Sequence, residues 1–284
     1  MTRTAMGLPG DVERVVARYL ELADEAVPGL VEGLYLVGSV ALDDFRPGVS
    51  DVDFIAVSPA PPDEESARAL AAVHARLRAE PGLPAFEGIY ATFAELRRSP
   101  AESGGGLRMH GRKLSPGPRG RSPVEWTTLA RHGVTVRGPA AGDLNVHTDR
   151  GELTAWTLDN LDRYWSRWVA RGRGLANWTA LAALTDWGVA WGVLGVSRLH
   201  YTTVTGQITS KTGAGQHALR AFGDGWRPVV TEALRCRPRP LAVPDPRRRP
   251  WRRRGEALAF MDMAIEECRR AGRSRSGDWP ERGA

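Results

Sequence analysis

At 284 residues the chain can hold two modest domains, each with its own core. A hydrophobic content of 42% and a charged content of 25% fit a globular protein and exclude a disordered or fibrous one. The net charge of +6 is concentrated in Arg235 to Arg254, centred on Arg247-Arg-Arg-Pro-Trp-Arg252-Arg-Arg254, and in Arg269 to Arg275. No aromatic ladder accompanies these runs, so no nucleic-acid partner is expected.

No apolar run approaches the roughly 18 residues of a membrane span, so no membrane partner is expected. The stretch Met1 to Pro9 lacks the apolar centre of a signal peptide, and a cytoplasmic location is expected. Cys236 and Cys268 have no metal-ligand spacing and suit a reducing compartment.

In chain order, Asp11 to Glu25 carries apolar residues at helical spacing, with Asp11 as its N-cap and Pro28-Gly29 as its end. Leu34 to Val37 reads as a buried strand ending at Gly38-Ser39, where the missing Cβ of Gly38 lets a ligand approach the backbone. Val40 to Asp44 fits a short helix with amides facing an anion. After the Arg46-Pro47-Gly48 turn, Ser50-Asp51-Val52-Asp53 leads into the apolar run Phe54 to Val57. Strand alternation puts Asp51 and Asp53 on one face, where two carboxylates beside a phosphate-binding turn suit Mg2+. Taken singly, an Asp-x-Asp at a strand start is most often a solvated turn.

Asp63 to Ala79 is a helix with Leu70, Val73 and Leu77 inward, and Ala85 to Phe93 has strand character with Glu87 upon it. Ala94 to Ser99 is a short helix and Pro100 to Gly106 a loop, whereas Arg108 to Gly120 is basic and shows no assignable element. A helix over 123–132 and a strand within 133–139 close a first domain, 1–147. His110, His132 and His147 share no ligand spacing and read as surface histidines.

From residue 148 the periods are helical: Glu152 to Arg171, Asn177 to Tyr201, Ala214 to Leu234 and Glu256 to Arg270. A helical domain is therefore expected over 148–272, with a disordered tail over 273–284. Six tryptophans lie between Trp156 and Trp191, two pairs of them at face-sharing spacing, which most often marks core. Only Lys113 and Lys211 among 39 basic residues are lysines, so each is a candidate for a task that needs a compact ammonium.

Gly38-Ser39 followed some ten residues later by Asp51-Val52-Asp53 resembles the signature of the polymerase-β-like nucleotidyltransferases. Ser197-Arg198-Leu-His-Tyr201 through Thr205-Gly206 to Lys211 resembles the second domain of the streptomycin and spectinomycin adenylyltransferases, and the likeness runs in order over about 10–240. The resemblance implies an α+β fold: a small mixed sheet with flanking helices, then an all-α domain. It implies ATP as co-substrate and two Mg2+ ions on Asp51, Asp53 and Glu87, with Glu87 also the base toward the attacking hydroxyl. Gly38, Ser39 and Ser50 would bind the triphosphate, with Arg198 and Lys211 on its phosphates. AMP would pass to a hydroxyl of a small, polycationic acceptor, an aminoglycoside or aminocyclitol antibiotic, and the chain would act as a monomer in resistance. Glu87, Asp159, Asp162 and Asp186 are the carboxylates that could meet such a cation. The positions that hold the drug in the streptomycin enzymes correspond here to Thr179, Leu184 and Gly188, which puts the acceptor in doubt. The alternatives are transfer to a protein side chain and a nucleotide-binding protein without catalysis.

Overall fold

The computed structural model describes residues 3–4, 7–174, 177–237 and 249–277. The described chain divides between Asp149 and Arg150 into two compact units.

The first unit is a seven-stranded mixed sheet with helices on both faces. Its strands are β1 (Arg3–Thr4), β2 (Gly33–Leu36), β3 (Val52–Ser58), β4 (Phe86–Thr92), β5 (Gly106–His110), β6 (Lys113–Gly117) and β7 (Val134–Arg137), in the order β1-β7-β2-β3-β4-β5-β6. The helices are α1 (Gly10–Ala26), α2 (Gly38–Ala41), α3 (Glu64–Ala79), α4 (Phe93–Leu96) and α5 (Pro123–His132). β3 and β4 run parallel, joined through α3, while β2–β3, β4–β5 and β5–β6 are antiparallel.

Alternation along β3 divides the core in two. Val52, Phe54 and Ala56 join Tyr19, Leu22, Leu70 and Val73 of α1 and α3 on one face. Ile55 and Val57 pack on the other with Trp126 and Leu129 of α5. Within the first core Tyr90 Oη lies 2.8 Å from Tyr19 Oη and 2.8 Å from His74 Nε2, so the buried hydroxyls and the ring satisfy one another. Burial holds the His74 pKa down at about 4, and the ring is neutral in this network.

Three sequence expectations change here. The segment that showed no element, Arg108 to Gly120, holds most of the hairpin β5–β6, which begins at Gly106, with Leu107, Met109 and Leu114 packed on the α1/α3 core. The first helix is preceded by Pro9, and no side chain caps it, so Asp11 lies inside its first turn rather than at its cap. The helix expected over Val40 to Asp44 is one turn, Gly38–Ala41, too short to carry a sizeable dipole.

The second unit is helical: α6 (Arg150–Asn160), a π-helical segment (Leu161–Trp165), α7 (Ser166–Gly172), α8 (Trp178–Ala182), α9 (Asp186–Thr205), α10 (Lys211–Ala221), α11 (Arg227–Cys236) and α12 (Pro250–Gly277). α9 is apolar on most of its circumference because α6, α10, α11 and α12 all pack against it. The expected helix Asn177 to Tyr201 is interrupted, since Thr185 accepts the Gly188 amide at 3.0 Å and starts a new helix. Likewise Ala214 to Leu234 is divided into α10 and α11.

The α+β class expected from the sequence is the one observed. The expected tail from Arg273 is helical as far as Gly277, and 278–284 lie outside the described residues. The part of the basic run over 238–248 also lies outside them. Its described arginines bond within the unit: Arg252 to Glu256 at 2.8 Å, Arg253 to Asp186 at 2.6 Å, Arg254 to the Gly174 carbonyl at 2.5 Å. Cys236 and Cys268 are free and buried, and burial pushes both thiols up to about 12. Among the described residues no helix is long and apolar enough to cross a membrane.

Candidate active site

The acidic motif lies where β3 begins. Asp51 is exposed just before the strand, Val52 enters the core, and Asp53 is half-buried on the opposite side, the side of Ile55 and Val57. The parallel ladder then pairs Asp53 directly with Glu87, and Val52 with Phe86. Two carboxylates far apart in sequence thus become lateral neighbours, at the strand spacing of about 4.8 Å.

Gly38 closes this arrangement from above. Its φ is +58°, a conformation that side chains resist, and an added Cβ would collide with the Asp53 carboxylate. The Val37 amide donates to the Asp53 carbonyl at 2.9 Å, which ties the turn to β3. Ser39 Oγ stands 3.5 Å from the Asp51 carbonyl. Ser50 Oγ accepts the Arg46 amide at 3.1 Å and keeps the loop before Asp51 compact. Asp51, Asp53, Gly38, Ser39 and Ser50 therefore gather where the central strand β3 begins, with Glu87 beside Asp53.

Glu87 is held from its other side by β5. His110 Nδ1 is 2.5 Å from Glu87 Oε2, and the Gly111 amide donates to Oε1 at 2.8 Å. His110, expected to be an ordinary surface histidine, is exposed but bonded to the candidate base. A period-2 signal for this strand exists in Leu107-Arg108-Met109-His110 before the Gly111 turn, masked by its basic residues. Gly88 is a second missed position, since a Cβ there would strike the Phe54 carbonyl across the ladder.

Arg198 and Lys211 belong to the second unit. Arg198 is half-buried on α9. Lys211 opens α10, where the dipole disfavours a cation, and its Nζ lies over the Trp191 ring, 5.1 Å from the centroid. Trp191 stacks on Trp187 at 5.4 Å and donates Nε1–H to Tyr164 Oη at 3.2 Å.

The three weaker acidic candidates are already paired: Asp159 with Arg163 at 2.6 Å, Asp162 with Arg269 at 2.5 Å, and Asp186 with Arg253. Asp186 is closed to any ligand, because it and Arg253 are each 6% exposed. Asp186, Glu232 and Cys236 approach one another closely, but Arg253 Nη1 bonds Glu232 at 3.2 Å as well as Asp186 and supplies the positive charge. Arg235 first, and then Arg253, hold the Glu232 carboxyl down at about 2.

The class of the first unit follows from comparison. Residues 16–87 match the family model of the nucleotidyltransferase domain, a stretch that starts in α1, contains Gly38 to Asp53 and ends on Glu87. The first unit carries a nucleotidyltransferase domain. Both units together resemble a solved structure, the spectinomycin adenyltransferase AAD(9) from Enterococcus faecialis with ATP and spectinomycin. The match has a TM-score of 0.65 over 90% of this chain and 99% of that one, at 12% sequence identity, and shows a shared fold. No curated protein sequence matches the chain.

Proposed function

We propose that the protein transfers AMP from ATP to a hydroxyl group of a small polar acceptor, of the aminoglycoside or aminocyclitol class, and releases pyrophosphate. The observation that carries this reading is the ladder pair Asp53–Glu87 with Gly38 set against the Asp53 carboxylate. Asp51, Asp53 and Glu87 offer hard oxygen donors only, which fits Mg2+ rather than a softer metal. When bound there, Mg2+ would offset the charge on the phosphates.

The chain's own groups supply the rest. The amides and hydroxyls of Gly38, Ser39 and Ser50 bind phosphate oxygens, and by the family resemblance Arg198 and Lys211 are cations for nucleotide phosphates. Glu87 accepts the acceptor's hydroxyl proton while that oxygen bonds to the α-phosphorus. The bond from the α-phosphorus to the β-phosphate oxygen breaks, and pyrophosphate carries away the electron pair. Spectinomycin, named with the structural relative, is the first acceptor to try.

The direct test mixes the protein with Mg2+, ATP and a panel of aminoglycosides and aminocyclitols, following pyrophosphate and acceptor mass. A mass gain of one AMP is the expected result. Bound ATP with no mass gain on any member of the panel would remove the small-molecule acceptor.

Gly38→Ala provides a second test. It places a Cβ on the Asp53 carboxylate in a left-handed backbone, at a cost of about 1–3 kcal/mol. Displacing the carboxylate by the order of an ångström is expected to slow transfer about 100-fold. Turnover at the wild-type rate would show that Asp53 need not occupy this place.

A further inference from the structure

The hairpin β5–β6 was not expected from the sequence, and the nucleotidyl-transfer reading does not need it. Its pairing with β4 nevertheless aims two donors at Glu87. Gly88 is opposite Met109 and Ile89 opposite Arg108; one further step in that register sets His110 opposite Glu87. On the other side of Glu87 the parallel ladder sets Asp53. Leu107 and Met109 turn into the α1/α3 core, so alternation leaves Arg108 and His110 on the face of Glu87 and Asp53. Asp53, Glu87 and His110 therefore form one row across three neighbouring strands.

Both oxygens of Glu87 are engaged from this one turn, Oε2 by His110 Nδ1 at 2.5 Å and Oε1 by the Gly111 amide at 2.8 Å. An ionised carboxylate only accepts, so His110 donates from Nδ1. Two donors from adjacent residues fix the plane of the carboxyl group and leave each oxygen further lone pairs. Stability does not account for this arrangement. The His110 side chain is 64% exposed, and an exposed cross-strand pair contributes little to folding. Glu87, by contrast, is only 17% exposed and has its orientation set by the pair.

We propose that His110 is a positioning residue: with the Gly111 amide it holds the Glu87 carboxylate in the orientation that receives the acceptor's proton. The proposal rests on the nucleotidyl-transfer reading. It predicts that His110→Ala lowers kcat about tenfold or more with KM for ATP unchanged within twofold, because orientation is lost and nucleotide binding is not. His110→Asn, which can present an N–H near the former Nδ1, is expected to recover most of the rate. The melting temperature of both variants should match the wild type.

A second readout needs no turnover. In the metal-free protein, 15N NMR of the imidazole should show His110 as the Nδ1–H tautomer, and Glu87→Ala should abolish that preference. His110→Ala with wild-type kcat, or a wild-type tautomer indifferent to Glu87→Ala, overturns the proposal and leaves the transfer reading intact. A wild-type protein that adenylylates neither spectinomycin, streptomycin nor any other acceptor overturns the transfer reading, and the proposal with it.

Discussion

Glu87→Gln is expected to lower the rate of AMP transfer by about 10²–10⁴-fold, the usual worth of a positioned general base. The amide has nearly the shape of the carboxylate but no basic oxygen. With its oxygen kept on the Gly111 amide, its NH2 group faces His110 Nδ1, and the imidazole must change tautomer to accept from it. The β3–β4 ladder does not involve the side chain, so the fold and ATP binding should persist. Single-turnover transfer alongside calorimetric ATP binding separates the two effects. A rate within threefold of wild type would remove Glu87 from the chemistry and shift attention to Asp51 and Asp53.

The largest stability effect is expected in the second unit, at Arg253→Met. Arg253 reaches from α12 to Asp186 at the start of α9, to Glu232 on α11 and to the Leu184 carbonyl at 2.8 Å, so one guanidinium joins three helices. Removing it takes the guanidinium from the buried Asp186 carboxyl and from Glu232, at a cost of about 3–5 kcal/mol. Adding Asp186→Asn should return part of that loss, because an amide is less costly to bury without the guanidinium than a carboxyl group. Urea denaturation followed by tryptophan fluorescence reads this unit well, since of the ten tryptophans only Trp126 precedes Arg150. A loss below about 1 kcal/mol would mean that Asp186 finds another donor or is hydrated in the variant.

These two residues also show what the sequence discloses and what it hides. Glu87 was legible as an acid on a strand because Ala85 to Phe93 has its own β character, and the role proposed for it came from resemblance to a known family. Its neighbour in the ladder was legible in the same way, since strand, Gly38-Ser39, turn and Asp51-Val52-Asp53 follow one another within a short stretch. Asp186 was legible only as an acid that could meet a cationic acceptor, and the arginine that pairs with it is 67 residues away. Periodicity carries no information about such a pairing. His110 was missed for the same reason: its contact with Glu87 depends on the register of β4 with β5, and β5 was obscured by the charges of an outer hairpin. The helical unit was legible as helical, but the breaks at Thr185 and between α10 and α11 depend on single caps that apolar spacing does not register.

Asp53 and Glu87 are neighbours through a ladder and not through a loop, and this bears on how such a chain can diverge. The connection between them passes through α3, whose ends lie in exposed turns where residues can be exchanged, added or lost. None of those changes alters the distance between the two acids, which the spacing of paired strands sets. The crossover and the helices can thus change freely, while the separation of the carboxylates stays a property of the backbone ladder. A solved structure that shares this fold over 90% of the chain at 12% sequence identity shows how little of the sequence the fold itself dictates.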